Sequence, residues 1–216
     1  MSATENTWLL WQLADSAFPA GGFAHSGGVE AAWQCGEIRD AAELESFLEA
    51  SLWQSACSMV PLVRAAHADP GQFPELDHAC DSFLSNHVAN RASRLQGRAL
   101  ASSAERIFGG KMKIGGACFH LAPVFGVLMR SLAVSANAAV ELYFFQSLRA
   151  WVAAAVRLGV VGPMEAQSLH YRMAPRAQEI LAETSGVPVA EMAGTAPLQE
   201  IWQGQQDRLY SRLFQS

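Results

Sequence analysis

Apolar residues recur every three or four positions along most of the chain, which is the period of an amphipathic helix. The stretch after Asp40 shows this clearly, with Leu44, Phe47, Leu48 and Leu52 on one stripe. No sustained alternation with a period of two, no internal repeat and no linker composition interrupts the pattern. The sequence therefore predicts an all-α, single-domain helical bundle of roughly ten helices over residues 1–216, with Gly-rich connecting loops and a flexible N-terminus at 1–6.

The first helix boundaries are predicted from capping residues and prolines. Asp40 and Glu43 are spaced as a capping box. Pro61 is predicted to end or kink the helix that follows, because proline removes a main-chain donor inside a helix. Pro74 fits the first turn of the next helix, which we expect to include Val88.

Later boundaries follow from the same signals. A helix is predicted to resume near Cys118, and Asn137 is the predicted cap of a long apolar helix. Pro163 fits the first position of the helix after that. The final helix is predicted to begin near Leu198 and to extend through Leu213.

The composition favours a protein that is partly covered by others. Only 16% of the residues are charged and 50% are apolar, whereas globular chains carry about 25% charged residues. Part of the apolar surface is therefore expected to lie against another protein or a second copy. The net charge of -5 does not favour nucleic acid as a partner. With neither a secretory signal nor an apolar run of about 18 residues, no membrane association is expected and the predicted location is cytoplasmic.

The stretch from 21 to 30 combines glycines with polar side chains. Four glycines lie within eight residues, and His25, Ser26 and Glu30 accompany them. So much glycine indicates positive φ or close approach by another backbone, and the polar groups indicate a binding or catalytic loop. The sequence G-x-S-x-G of hydrolases is absent, and adjacent His and Ser side chains rarely form a productive pair, so catalysis is not favoured.

Four further residues are weak candidates for transient metal binding, namely His78, Cys80, Cys118 and His120. Each His–Cys pair is spaced i,i+2, and such residues do not share one face of a helix. Neither spacing is an accepted metal signature, so no resident metal is expected. The second Gly-rich loop, 109–116, does not match the phosphate-binding P-loop and is predicted to be a connector.

Two features near the C-terminal half indicate fixed contacts. Arg157 follows an almost wholly apolar run, so we expect its charge to need a fixed partner. Residues 207–216, called the tail below, contain Tyr210, Arg212 and Phe214, which are typical interface anchors. Docking of the tail onto the protein's own core remains the alternative.

Together these segments resemble the urease accessory protein F (UreF) family. The resemblance is carried by residues 9–30, by Arg94–Arg98, by His120–Gly126 and by residues 143–167. The end of the tail, 209–214, is also similar to the family. The positions that match family motifs are Gly21, Gly22, Gly28, Arg98, Gly126 and Arg157. This chain has His25 where the family commonly has tyrosine.

The resemblance implies a non-enzymatic accessory protein that is all-α and forms a homodimer. It implies partners as well: the UreD/UreH accessory protein, the GTPase UreG and apo-urease, to which the assembly delivers nickel. Modulation of the GTPase is implied, and a cofactor is not, although nickel passes through the complex.

Matching positions imply that Ser26, Glu30 and Arg212 face or support a partner, with His25 beside them. Tyr210 and Phe214 join Arg212 as predicted anchors in the tail. Two alternatives stay open at this point: a stand-alone nickel carrier, and a small all-α hydrolase that uses His25 and Ser26.

Overall fold

The structure is a computed structural model that describes residues 7–109, 114–115 and 117–216. All regular elements in these residues are helical, which confirms the predicted all-α fold. The helices are α1 (Thr7–Ala14), α2 (Val29–Gln34), α3 (Ala41–Ala68), α4 (Phe73–Phe83), α5 (His87–Phe108), α6 (Leu121–Ser131), α7 (Ala136–Arg157), α8 (Pro163–Glu183) and α9 (Pro197–Gly204). The expectation for residues 1–6, and that for most of the loop 109–116, fall on residues outside this description.

Helix α3 lies at the centre of the bundle and contacts α4, α6, α7 and α8. The stripe predicted from the sequence is buried there, and Leu44, Leu48 and Leu52 have no exposed surface. Helix α6 crosses α3 closely at Gly126. A Cβ at this position would overlap the carbonyl oxygen of Val63, so only glycine fits without displacing backbone.

Helix α3 continues through Pro61, so of the two predicted effects, an end or a kink of the helix, the end is wrong. Proline lacks the N–H that would bond the carbonyl four residues earlier, and this carbonyl belongs to Cys57. In the structure the Cys57 carbonyl accepts a hydrogen bond from the N–H of Ala193 at 3.2 Å. A distant segment thus satisfies the group that Pro61 leaves free, and the helix persists.

Capping explains the other boundaries. The Asp40 side chain accepts from the N–H groups of Ala42 and Glu43, as the capping box predicts. Helix α5 begins at His87 with Asn86 as its cap, so Val88 does not continue the preceding helix.

Of three later helix boundaries predicted from the sequence, one is confirmed. Ser135, rather than Asn137, caps α7, and its side chain accepts from the N–H of Ala138. Pro163 begins α8, as predicted. The last α-helix ends at Gly204, so the prediction that it reaches Leu213 is wrong.

Candidate functional site

The tail folds back against the first Gly-rich loop, residues 21–28, which is called the loop below. The buried carboxylate of Glu30 holds the tail there. Glu30 lies in the first turn of α2 and is 1% exposed. Its Oε1 accepts from the N–H of Leu213 at 2.6 Å, and its Oε2 accepts from the N–H of Phe214 at 3.0 Å. The side-chain amide of Gln206 donates to the same Oε2 at 2.6 Å. Three donors therefore compensate for removing this charge from water.

The loop and the end of the tail are also joined by main-chain and side-chain hydrogen bonds. The N–H of Gln215 donates to the carbonyl of Ala24 at 2.8 Å. The Ser26 hydroxyl donates to the main-chain oxygen of Ser216 at 2.9 Å, and His25 Nδ1 lies 2.6 Å from the Ser216 hydroxyl. Burial, together with the positive charge of Arg91, lowers the pKa of His25, which favours its neutral form.

The glycines predicted to need unusual backbone make this approach possible. Gly27 and Gly28 have φ of 62° and 96°, in the left-handed region. A Cβ on Gly27 would collide with the indole of Trp151. The loop therefore presents Ser26 and Glu30 to the tail at the start of α2.

Arg157 has the fixed partners that its apolar surroundings predicted. Its guanidinium donates to the carbonyl of Phe23 at 2.6 Å. The same group lies 3.9 Å from the ring centroid of Phe23 and 4.2 Å from that of Phe214. Arg157 is thus held by a carbonyl and two aromatic faces instead of a carboxylate, and it joins α7 to the loop and the tail.

The outer side of the tail carries an ion-pair group centred on Asp207. Arg91 donates two hydrogen bonds to this carboxylate, at 2.9 and 2.8 Å. His87 and Arg212 lie 3.2 Å from it. Hydrogen bonding from Arg91 is the main reason that the pKa of Asp207 is lowered, so the tail is also tied to α5.

The predicted partner-binding residues therefore divide into two sets. His25, Ser26, Glu30 and Phe214 are buried where the loop meets the tail, whereas Tyr210 is fully exposed and Arg212 is exposed. Their contribution to binding a partner stays a prediction. What the structure does show is that the tail docks on the protein's own core, the alternative kept open from the sequence.

Some of the positions that match family motifs lie at a cavity of about 620 Å³ beside the loop. Gly21, Gly22, Arg157 and Phe214 line it. Arg98 is exposed on α5 and does not line it.

The geometry does not pair His25 with Ser26 as a base with its nucleophile. The imidazole contacts the Ser216 hydroxyl, and the Ser26 hydroxyl donates to a main-chain oxygen. A serine nucleophile needs a base within hydrogen-bond reach of its own oxygen. This arrangement serves to dock the tail and does not support the hydrolase alternative.

A second cluster forms where the chain enters α6. Asp77 is 2% exposed and accepts from three successive N–H groups, those of Cys118, Phe119 and His120, at 2.7–3.0 Å. Phe119 has φ of 62°, an uncommon value for an aromatic residue. The segment is therefore folded sharply around the Asp77 carboxylate and is not helical.

This fold brings Cys118 and His120 together with Asp81 of α4. Among the described residues, this is the one group of three or more His, Cys, Asp or Glu side chains whose possible metal-ligand atoms all lie within 4.8 Å of one another. His120 Nε2 is 3.0 Å from Asp81 Oδ1, and Nδ1 is 3.0 Å from the Ser93 hydroxyl. His78 and Cys80, predicted as weak metal candidates, are not part of it.

The protonation of this cluster follows from burial and charge. Burial is the main cause of the lowered pKa of His120, which favours the neutral imidazole. Burial and the nearby carboxylates raise the pKa of the Cys118 thiol. Hydrogen bonds from Asn90 and His120 lower the pKa of Asp81, so this carboxylate is ionised near neutral pH.

Sequence reasoning missed Asp77, Asp81, Gln206 and Asp207. Each contacts a partner that is at least 30 residues away in the sequence or that lies beyond a non-helical turn. The spacing of residues along a single helix therefore could not predict these contacts. Asp77 and Asp81 do share one helix face at i,i+4, and this was the one local sign that two carboxylates point the same way.

Comparison with known proteins gives a consistent result. The family model described as UreF matches residues 38–174. The chain is 34% identical to urease accessory protein F of Arabidopsis thaliana, over 96% of this chain and 91% of that protein. It is 32% identical to the protein of the same name from Oryza sativa subsp. indica, over 96% and 84% respectively. The urease accessory protein UreF of Bacillus sp. (strain TB-90) is 28% identical, over 96% and 97%.

In the part of the chain that the structure describes, no helix combines the length and the apolar character needed to cross a bilayer.

Proposed function

The chain belongs to the UreF family of urease accessory proteins, and we propose that it is the scaffold that bridges the UreD/UreH subunit and the GTPase UreG. The family is one of accessory proteins and not of enzymes, and its role is in urease maturation. In the proposed assembly, a homodimer of this chain positions both partners for GTP-dependent delivery of nickel to apo-urease, and it modulates the GTPase. Nickel is cargo in this proposal, and the chain needs no cofactor.

The observation that carries the proposal is the way the docked tail displays its side chains. Glu30 and Phe214 fix the tail from inside, so that Tyr210 projects fully into solvent and Leu213 remains half exposed. Leu198 and Ile201 on the preceding α9 are also exposed. Large apolar side chains held in place on a surface are typical of protein–protein interaction sites.

The pre-docked tail gives the surface an energetic advantage. Ordering a side chain at an interface costs about 0.5–1.5 kcal/mol. Glu30 and Ser26 already fix the main chain at residues 213–216, and the Gln34 side chain donates to the carbonyl of Ser211, next to Tyr210. A partner that binds this surface therefore pays less of that cost.

Tyr210→Ala tests the proposal because it removes an exposed ring without touching the core. We expect the variant to keep its helix content by circular dichroism. Loss of an aromatic anchor costs about 2 kcal/mol, so we expect its affinity for the UreD/UreH protein of the same organism to fall by about 30-fold. Co-elution in size-exclusion chromatography and a binding titration would measure this.

Tyr171→Ala is the matched control. Tyr171 is 81% exposed on α8, and we expect its variant to bind UreD/UreH as the unmodified chain does. Full affinity in Tyr210→Ala would contradict the proposed tail surface, and failure of the unmodified chain to bind either partner would contradict the scaffold function itself.

A further inference from the structure

We propose that Asp81, Cys118 and His120 bind one divalent cation of borderline softness, such as Ni²⁺ or Zn²⁺. The observation is the convergence of a carboxylate, a thiol and an imidazole from two segments of the chain within 4.8 Å. Imidazole and thiolate suit both cations, and a carboxylate completes a common mixed donor set. The site stands whether or not the chain bridges two partners.

The distance between two of the three donors is close to the distance that a bound cation requires. In a tetrahedral site with metal–nitrogen and metal–oxygen bonds of about 2.1 Å, nitrogen and oxygen donors lie about 3.4 Å apart. His120 Nε2 and Asp81 Oδ1 are now 3.0 Å apart. A cation that replaces their shared proton requires them to separate by only about 0.4 Å.

The surroundings orient the donors. The Ser93 hydroxyl contacts the second ring nitrogen of His120, as outer partners of histidine ligands do. The three hydrogen bonds to Asp77 fix residues 118–120, and the positive φ of Phe119 turns Cys118 and His120 toward the same side. The i,i+2 spacing that would separate them on a helix therefore brings them together here.

The charge balance favours a cation, although one group opposes it. Asp77 and Asp81 are carboxylates, and a metal-bound Cys118 would be a thiolate. Among the residues that the structure describes, Arg94 is the positive group whose charge acts on Asp81, Cys118 and His120. Counted over the described part of the chain, three potential negative charges against one positive charge leave the cluster suited to a divalent ion.

The site is accessible from solvent. The Asp81 side chain is 33% exposed, whereas that of His120 is fully buried. Three protein donors leave a coordination position open, unlike the closed four-ligand sites that hold structural zinc. We therefore expect the ion to exchange, and not to be a permanent part of the fold.

Titration of the purified full-length chain with Ni²⁺ and with Zn²⁺ tests the site. We expect one cation per chain by calorimetry. Co²⁺ used as a spectroscopic probe is expected to give a thiolate-to-metal charge-transfer band. Cys118→Ser is expected to abolish that band and to weaken binding at least about tenfold, since loss of even an outer partner costs 10–100-fold.

Cys35→Ser is the matched control, because Cys35 is an exposed free thiol outside the cluster. It should leave both the stoichiometry and the band unchanged. Asp81→Asn provides a second variant that keeps the shape of the side chain and is expected to weaken binding while the band persists. Absence of binding by the unmodified chain would overturn the proposal, and so would unchanged affinity in Cys118→Ser. Neither result depends on co-elution with UreD/UreH.

Discussion

Glu30→Gln tests whether a single buried carboxylate holds the tail in place. The carboxylate accepts three hydrogen bonds, from Leu213 at Oε1 and from Phe214 and Gln206 at Oε2. Glutamine has nearly the same shape but offers one oxygen. Its best orientation keeps the two bonds at the Oε2 position and turns its NH₂ group toward the N–H of Leu213, where two donors then face each other.

The magnitude follows from the bond that is lost. A hydrogen bond to a charged group contributes about 1.5–3 kcal/mol, and an unsatisfied buried donor costs a similar amount. A loss of 1.5–3 kcal/mol corresponds to roughly a 10- to 150-fold increase in the population of tail-open molecules. The helices of the bundle do not depend on this contact, so the opening should be confined to the tail.

Hydrogen exchange measured by mass spectrometry on the peptide that contains Leu213 and Phe214 is the appropriate assay. Protection of these two amides should fall by the factor given above, while peptides from α3 exchange as before. Glu37→Gln, at an exposed position outside the tail contacts, is the control and should change nothing. Unchanged protection of the Leu213 and Phe214 amides in Glu30→Gln would refute the reasoning.

Two further predictions concern the core and the pH dependence. Gly126→Ala should destabilise the fold by about 1–3 kcal/mol in urea unfolding, because the new Cβ overlaps the Val63 carbonyl. Gly186→Ala, in the turn after α8 where a Cβ would meet nothing within 4 Å, should stay within about 0.5 kcal/mol of the unmodified chain, and equal effects would contradict the close crossing. His25 has a lowered pKa in the fold, so it contributes stability that is present above its ordinary pKa of about 6.5 and is lost as the pH falls through the folded value. The unfolding free energy of the unmodified chain should therefore fall more steeply than that of His25→Gln between about pH 7 and pH 5, and parallel curves would show that His25 does not titrate with folding.

The helical architecture was predictable because its signal is local. The apolar stripe of α3 repeats every three or four residues, and Asp40 and Pro163 mark helix starts where the capping rules place them. Pro61 shows where local rules stop. The group that rescues the helix is the N–H of Ala193, more than a hundred residues away, and no local pattern encodes that bond.

The candidate sites show the same limit. Ser26, Glu30 and Arg157 were recognised as unusual in the sequence, but their partners in the tail became visible only in the fold. The cluster at Cys118 was undervalued because a helix was predicted to begin there. Since α6 begins at Leu121, Cys118 and His120 lie in a turn, and the argument from helix faces does not apply.

The most direct test of the central claim is a reconstitution of the unmodified chain with the UreD/UreH protein and the UreG GTPase of the same organism. Size-exclusion chromatography with light scattering would measure which proteins share a peak and the mass of that peak. We expect a single species that contains all three proteins, with two copies of each, and that does not form from UreD/UreH and UreG when this chain is left out. Co-elution of UreD/UreH with UreG without this chain, or a chain that binds neither of them, would contradict it.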